Sequence, residues 1–264
     1  MSLLRDRLQE TIANSVVQEE GIAPRLRISE AFPPRAALAR GRGAIGMTAF
    51  ALAAFIALFT VVRAQRSTRA DLAVTIALQR RRQPWFRKAM QLVSWPGFPP
   101  QSRIIPPALA GIWFALGFRI EAIFQLLAWG TGFVSFVVKW IMRRPRPEHP
   151  EIAIAVARIG GTSFPSGHVL NYLGVYGFLA FLLETLVRPA ALRKASVGAL
   201  VTLLATVGPS RIYLGHHWLT DVSASYLLGT SYLLGLTALY RRVKVWQYLR
   251  RHRLSSQAPG MAVE

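Results

Sequence analysis

The chain alternates long apolar runs with short polar and charged breaks. Residues 44–62 form the clearest run, because they contain no charged side chain and lie between Arg42 and Arg63. A helix of this length, at about 1.5 Å per residue, approaches the roughly 30 Å thickness of a bilayer's hydrocarbon core. Helices of soluble proteins rarely stay apolar on all sides over such a distance. The pattern therefore predicts a membrane-spanning helix.

Further apolar runs extend this prediction to an all-α, polytopic membrane protein with six transmembrane helices. The predicted spans are residues 44–62, 103–118, 122–140, 168–187, 195–212 and 218–240. Because only three residues separate the second span from the third, these two are predicted to form a tight hairpin. An even number of spans puts both termini on one side of the membrane and the loops 63–102, 140–167 and 209–217 on the other.

The segments outside the spans have their own patterns. Residues 1–43 begin with an apolar residue at every fourth position, which predicts an N-terminal amphipathic cytoplasmic segment. Between the first two spans, three arginines at 80–82 followed by Trp85 and Phe86 predict an interfacial helix with its rings at headgroup level. Residues 241–264 form a basic C-terminal tail. Between these flanks, 44–240 is predicted to be one six-helix membrane domain.

Composition narrows the chemistry. The chain has no cysteine, which excludes disulfides, thiolate nucleophiles and cysteine-ligated zinc. Its net charge of +20 comes from basic residues that stand mostly at the ends of apolar runs, where they bind anionic headgroups. This scattered placement argues against nucleic acid, so the expected partners are membrane lipids. The sequence indicates no oligomeric state.

Two of the loops on the same predicted side carry an unusual concentration of cations. Lys139 ends the third span, and Arg146 lies between two prolines that hold the backbone extended. An arginine on a stiff segment is suited to bind two oxygens of a phosphate with its planar guanidinium. Arg143 and Arg144, taken alone, are interpreted equally well as side chains that reach out to lipid headgroups.

The tripeptide Ser166-Gly167-His168 enters the fourth span. Backbone N–H groups at a helix N-terminus attract anions, and a glycine there lets a ligand approach closely. This predicts an anion site, although an ordinary N-cap is the more common role of Ser-Gly before a helix.

His217 and Asp221 are four residues apart at the start of the sixth span. On one helical face, the carboxylate would accept a hydrogen bond from Nδ1 and leave Nε2 free as a nucleophile. A carboxylate near the membrane indicates function because it is costly unless paired, but a purely structural hydrogen bond remains the alternative. The neighbouring His216 is expected to be a bystander or a loop residue near the headgroups.

The histidines and carboxylates do not form a pattern typical of a metal site. No His-x-x-x-His or Glu-x-x-His spacing occurs near these loops. The expected metal ligands and cofactors are therefore none, which leaves open only Mg²⁺ brought by a substrate.

Together, the three polar segments resemble the type-2 phosphatidic acid phosphatase superfamily, which also includes soluble acid phosphatases and vanadium haloperoxidases. The family pattern of Lys, six residues and Arg-Pro matches Lys139 to Pro147. Pro-Ser-Gly-His matches residues 165–168. Ser-Arg, five residues, His, three residues and Asp matches residues 210–221. Single motifs are weak, but three in order on one predicted face are specific.

The resemblance implies a role for each matching residue. His217 would be the nucleophile that forms a phosphohistidine, Asp221 would orient its ring, and His168 would be the general acid for the leaving group. The spacing from Arg211 also assigns the nucleophile to His217 rather than to His216. The phosphate would be bound without a metal by Lys139, Arg146, Ser166, Gly167 and Arg211.

The function expected from this resemblance is hydrolysis of a lipid phosphate monoester or pyrophosphate, of the phosphatidate, phosphatidylglycerophosphate or polyprenyl pyrophosphate type. Two alternatives stay open: transfer of the phosphoryl or head group to an alcohol, and a membrane protein that only binds or transports its ligand. The expected location is the inner or plasma membrane. Loop charge slightly favours cytoplasmic termini, and the resemblance implies an active site facing the periplasm or exterior.

Overall fold

The computed structural model describes residues 34–154 and 160–257. The N-terminal part of the predicted amphipathic segment, residues 1–33, lies outside this description. The described helices are α1 (Pro34–Arg63), α2 (Thr68–Gln79), α3 (Pro84–Ser94), α4 (Gln101–Ala115), α5 (Arg119–Ala128), α6 (Thr131–Met142), α7 (Gly167–Leu186), α8 (Ala190–Tyr213) and α9 (Leu219–Gln257), with a short 3₁₀ helix at Trp95–Gly97.

Several of these helices are long and apolar enough to cross a membrane, which confirms a multi-pass membrane protein. The candidate spans are Gly43–Arg63, Arg119–Met142, Gly167–Leu186, Ala190–Tyr213 and Leu219–Gln247, and the second of these comprises α5 and α6 together. The predicted span at 103–118 corresponds to α4, which has 15 residues and contains Pro106 and Pro107. It is shorter than the roughly 20 residues that a full crossing usually needs.

Two predicted boundaries differ from the structure. The segment between the first and second spans contains two helices, α2 and α3, and the arginine run at 80–82 lies in the break between them. Pro84 explains the break, because proline fits the first turn of a helix but not its interior. The basic tail, in turn, begins as a continuation of α9 to Gln257, since no proline or glycine interrupts that stretch.

Helix α7 is the centre of the bundle. In the most apolar 18-residue stretch of α7, 67% of the residues are buried, against 11% in the corresponding stretch of α1 and 6% in that of α8. It packs against α5, α6, α8 and α9. At Gly174 the α7 backbone approaches the break between α5 and α6, where an added Cβ would overlap the carbonyl oxygen of Ala128. Glycine is needed for this close contact.

The bundle has two distinct ends. At one end, the buried carboxylate of Glu121 in α5 accepts hydrogen bonds from Tyr240 and Lys244 of α9. At about 1.5 Å per residue, Lys244 lies roughly 35 Å along α9 from Asp221, which is near the other end. The α4 helix extends from one end of the bundle toward the other. Phe98, just before α4, contacts His168, and Trp113, near the carboxyl end of α4, lies in the core cluster that includes Tyr240.

Candidate active site

The end of the bundle near Asp221 gathers all the residues that the three motifs single out. The carboxyl ends of α6 and α8 meet the amino ends of α7 and α9 there, because successive helices run antiparallel. The gathered residues are Lys139, Arg146, Ser166, Gly167, His168, Arg211, His217 and Asp221.

His217 is buried, and its ring is oriented by a backbone carbonyl. Nδ1 lies 2.8 Å from the oxygen of Ser163. A carbonyl oxygen only accepts hydrogen bonds, so Nδ1 carries the proton and neutral His217 has its lone pair on Nε2. The predicted hydrogen bond from Nδ1 of His217 to the Asp221 carboxylate is not formed, because the nearest Asp221 oxygen lies 3.7 Å away.

Asp221 holds the start of α9 instead. Its Oδ2 accepts the backbone N–H of Trp218 at 2.9 Å, as the third residue of a helix does in a capping box. Its Oδ1 lies 2.6 Å from Nη1 of Arg144. His217 precedes the first residue of α9, so the pair spans the helix start and does not share one helical face.

The surroundings of His217 keep its ring uncharged. Burial lowers its pKa well below the usual value, and the nearby positive charges of Arg211, Lys139 and Arg146 lower this pKa further. The hydrogen bond to Ser163 has the opposite effect on the pKa, but it is the smaller one. A neutral ring with a free Nε2 is the form in which histidine acts as a nucleophile.

Two cations hold the loop beside His217. Arg146 donates from Nη1 to the carbonyl of His216 at 2.8 Å, and the same nitrogen lies 3.4 Å from Nε2 of His217. Lys139 donates to the carbonyl of Thr162 at 2.7 Å. The charge of Arg146 is thus held next to the ring nitrogen that carries the lone pair, and the charge of Lys139 is held close enough to lower the pKa of the ring.

His216 is part of the site and not a bystander at the headgroups. It is 2% exposed, and its Nδ1 accepts a hydrogen bond from Nη2 of Arg211, which is fully buried. Because a guanidinium only donates, neutral His216 carries its proton on Nε2. Burial and the charges of Arg211 and Arg146 lower the pKa of His216 to about 3.

Several polar atoms at this end are buried without a hydrogen-bond partner in the described part of the chain. They are Ser166 Oγ, His168 Nε2, Arg211 Nε and Nη1, and His216 Nε2. The ring of Phe98 contacts three of these residues, with its centroid 4.6 Å from the His168 ring, 6.1 Å from the His216 ring and 4.9 Å from the Arg211 guanidinium. Buried donors are normally satisfied, so this cluster has the chemistry of an anion site.

The position of Ser166 bears on whether the Ser-Gly-His turn is an anion site or an ordinary N-cap. It occupies the N-cap position of α7, yet its side chain makes no capping hydrogen bond. Its backbone N–H is held by Ser225 at 2.7 Å. The hydroxyl therefore has no hydrogen-bond partner among the described residues. An added Cβ at Gly167 would make only an ordinary contact, 3.5 Å from Ser135 Oγ.

Four residues of the site escaped sequence reasoning. Ser163 acts through its backbone carbonyl and Phe98 through its ring, so neither has a sequence signal. Arg144 is mostly buried between two carboxylates and does not reach headgroups. Asp71, the second carboxylate, is the other aspartate within the apolar part of the chain, and that rarity was an available signal.

Among the described residues, no three histidine or carboxylate side chains come together in a way that could hold a metal ion. The absence of a metal from the reaction remains a prediction.

Comparison with known proteins gives consistent matches. Residues 120–244 match the model of the PAP2 superfamily. Phosphatidylglycerophosphatase B of Bacillus subtilis (strain 168) is 29% identical over 180 residues, covering 66% of this chain and 85% of the relative. Decaprenylphosphoryl-5-phosphoribose phosphatase of Mycolicibacterium smegmatis is 28% identical over 128 residues, covering 48% of this chain and 60% of the relative.

A solved structure is similar as well. The crystal structure of a transmembrane PAP2-type phosphatidylglycerolphosphate phosphatase from Bacillus subtilis superimposes with a TM-score of 0.62 and 27% identity, covering 74% of this chain and 96% of that one. The matched region contains the three motifs and the helices that carry them. Residues 120–244 of this chain are therefore similar to the PAP2 superfamily, and the homologous proteins are phosphatases of that superfamily.

Proposed function

We propose that this protein is a membrane-embedded lipid phosphatase that works through a phosphohistidine on His217 and needs no metal ion. The observation that carries the proposal is the cluster of unpaired buried donors beside a neutral histidine whose Nε2 carries a lone pair, 3.4 Å from Nη1 of Arg146. Such donors stabilise the charge that builds on the equatorial oxygens during phosphoryl transfer.

The proposed reaction has two steps. In the first, the Nε2 lone pair of His217 forms a bond to phosphorus, the bond from phosphorus to the leaving oxygen breaks, and His168 gives its proton to that oxygen. In the second, His168 takes a proton from water while the water oxygen bonds to phosphorus and the N–P bond breaks. Free phosphate leaves, and both histidines return to their starting states.

A lipid substrate is supported by the surroundings of Lys139. An open cleft of about 510 Å³ lies beside it, lined by Phe136, Trp140, Arg143, Arg146 and residues 160–162. Phe136 and Trp140 are about two-thirds exposed on the apolar face of α6. A molecule in the cleft would thus meet cations at one side and an aromatic, membrane-facing surface at the other.

The relatives support the same substrate class. The Bacillus and mycobacterial proteins are named for a phosphatidylglycerophosphate and a decaprenyl-linked phosphate, respectively. We propose a lipid phosphate monoester or pyrophosphate as the substrate, with phosphatidate, phosphatidylglycerophosphate and undecaprenyl pyrophosphate as the lipids to be tested.

The purified protein tests this proposal when it is incubated with each radiolabelled lipid in the presence of EDTA. We expect free labelled phosphate, and acid-labile, alkali-stable label on the protein after rapid quenching. His217→Ala should abolish both, whereas His149→Asn, outside the site, should change neither. Label that moves to a second lipid would identify a transferase, and near-normal hydrolysis by His217→Ala would refute the mechanism.

We further propose that the chain crosses the inner or plasma membrane six times, with α4 as the short second crossing, cytoplasmic termini and an outward-facing site. Support comes from α4, whose two ends contact residues at opposite ends of the bundle. Because the chain has no cysteine, single cysteines report cleanly on topology. A cysteine at Glu148 should react from outside the cell and one at Arg119 only from the cytoplasm. Reaction of both from one side would contradict the six crossings.

A further inference from the structure

Asp71 is a fully buried carboxylate in α2, outside the three motifs. One of its oxygens accepts the backbone N–H of Thr220 at 2.9 Å, and the Thr220 hydroxyl lies 2.8 Å from the other. The same second oxygen lies 2.6 Å from Nη2 of Arg144. Asp71 thus connects α2 to the first turn of α9 and to the loop after α6.

Arg144 divides its two terminal nitrogens between two carboxylates. Nη2 binds Asp71, and Nη1 binds Asp221, each at 2.6 Å. Nη1 also lies 2.8 Å from the Thr220 hydroxyl. A continuous chain of charged hydrogen bonds therefore runs from Asp71 through Arg144 to Asp221, whose other oxygen is 3.7 Å from His217.

We propose that Asp71 is a positioning residue for the nucleophile, acting through Arg144 and Asp221; this inference rests on the proposed role of His217. Asp71 touches neither His217 nor the unpaired donors of the anion site. Asp71 binds one terminal nitrogen of Arg144 and so keeps the guanidinium between the two carboxylates. Asp221 is then bound by the other terminal nitrogen only.

The physical reason lies in the geometry of the guanidinium. Its planar fork is built to bind one carboxylate with two parallel hydrogen bonds. Without the charge of Asp71, Arg144 is free to turn and bind Asp221 with both nitrogens. That would draw the Asp221 carboxylate away from the His217 ring and from the Trp218 N–H that it caps. The nucleophile would then be less well oriented, while the anion site would be unchanged.

Glu121 provides a matched control at the opposite end of the bundle. It is also a buried carboxylate, 1% exposed, and it also accepts hydrogen bonds from a cation and a hydroxyl, those of Lys244 and Tyr240. Loss of either carboxylate should lower thermal stability. Only the loss of Asp71 should lower turnover of the folded protein.

The test is a double-mutant cycle on the purified full-length protein, using Asp71→Asn, Asp221→Asn and the double variant. We expect Asp71→Asn to lower kcat by about 10- to 100-fold, by analogy with the loss that follows when a residue orienting a metal ligand is mutated. KM should stay within about threefold, because the phosphate-binding groups are intact. In the Asp221→Asn background the same change should have almost no further effect.

Two results would overturn the inference: normal kcat in folded Asp71→Asn, or losses that multiply in the double variant, since a merely structural residue gives independent effects. If Asp71→Asn does not fold, Thr220→Val replaces it in the cycle, and it must show a smaller loss of kcat that again disappears with Asp221→Asn. Glu121→Gln should keep normal kcat at a temperature where it is folded. Turnover by His217→Ala would instead refute the proposed function.

Discussion

The Nδ1 atom of His217 lies 2.8 Å from the carbonyl oxygen of Ser163 but 3.7 Å from the carboxylate of Asp221. The backbone therefore sets the tautomer of this ring, and the carboxylate contributes charge at a longer distance. A backbone carbonyl survives every side-chain substitution at Ser163 or Asp221, and this has consequences for mutants of the site.

Asp221→Asn should weaken the enzyme without abolishing it. Ser163 still holds the proton on Nδ1, so Nε2 remains available, and only the favourable charge and the pairing with Arg144 are lost. We expect kcat to fall by about 10- to 100-fold, whereas His217→Ala should lower it by several orders of magnitude. Initial rates of phosphate release measure both. Equal residual activities in the two variants would contradict the role given to Ser163.

Arg211→Met should remove ligand binding more than folding. Arg211 is fully buried with two nitrogens that have no partner among the described residues, so its charge is poorly compensated by the protein itself, and an apolar side chain of similar length relieves that cost. Orthovanadate, which imitates pentacoordinate phosphorus, should raise the Tm of the wild-type protein in detergent and leave that of Arg211→Met unchanged. Arg193→Met, which alters a partly exposed cation paired with Glu184, is the control and should respond like the wild type.

The stability of the protein should fall as the pH drops below about 6.5. The pKa of His216 is lowered to about 3, so between these values the unfolded chain binds a proton that the folded chain does not. Each such histidine costs about 1.4 kcal/mol of unfolding free energy per pH unit, and the lowered pKa of His217 adds to the effect.

His216→Gln tests this pH dependence, because it removes the contribution of His216. Its Tm should decline less steeply than that of the wild type between pH 6.5 and 4.5 by tryptophan fluorescence. His149→Gln, on a half-exposed loop, serves as the control and should retain the full slope. Parallel curves for wild type and His216→Gln would show that His216 takes up a proton in the folded state.

Gly97→Ala should impair turnover by moving the proposed general acid. An added Cβ at Gly97 would overlap Cδ2 of His168 and lie 2.8 Å from its Cγ, so either the ring or the 3₁₀ turn must shift. A displacement of about 1 Å at a reacting group is able to cost on the order of 100-fold in rate. Gly111→Ala in α4 meets nothing within 4 Å and should leave kcat unchanged. Equal rates for both variants would argue against a fixed position for His168.

Most of the helices were predictable, because a helix that crosses a membrane must stay apolar over about 20 residues. The runs at 44–62, 168–187 and 195–212 each correspond to a long apolar helix. The predicted span at 103–118 corresponds to α4, Gln101–Ala115, which has nearly the same length but begins two residues earlier and ends three residues earlier. The length of α9 was underestimated, since leaving the apolar region changes the composition of a helix without ending it.

The site was predictable to the extent that its residues are near in sequence or belong to a recurring motif. The gathering of the eight motif residues at one end follows from the order of helices. The sharing of Arg144 between Asp71 and Asp221 joins residues more than 70 positions apart along the chain, and no periodicity reports such a contact. The same is true of the ring of Phe98, whose neighbours come from two separate segments, at His168 and at residues 211–216.

By itself, the sequence determined that this is a helical membrane protein, and it predicted phosphate-binding chemistry at one end, since hydrophobic length and residue type are local properties. Only the tertiary structure decided which groups are paired and which are free. Hydrogen bonds are short and directional, so a small change in helix position decides whether His217 meets Asp221 or Ser163. Helix positions also determine which buried polar atoms have no partner among the described residues, namely those of Ser166, His168, Arg211 and His216. These atoms are the basis of the proposed phosphatase site.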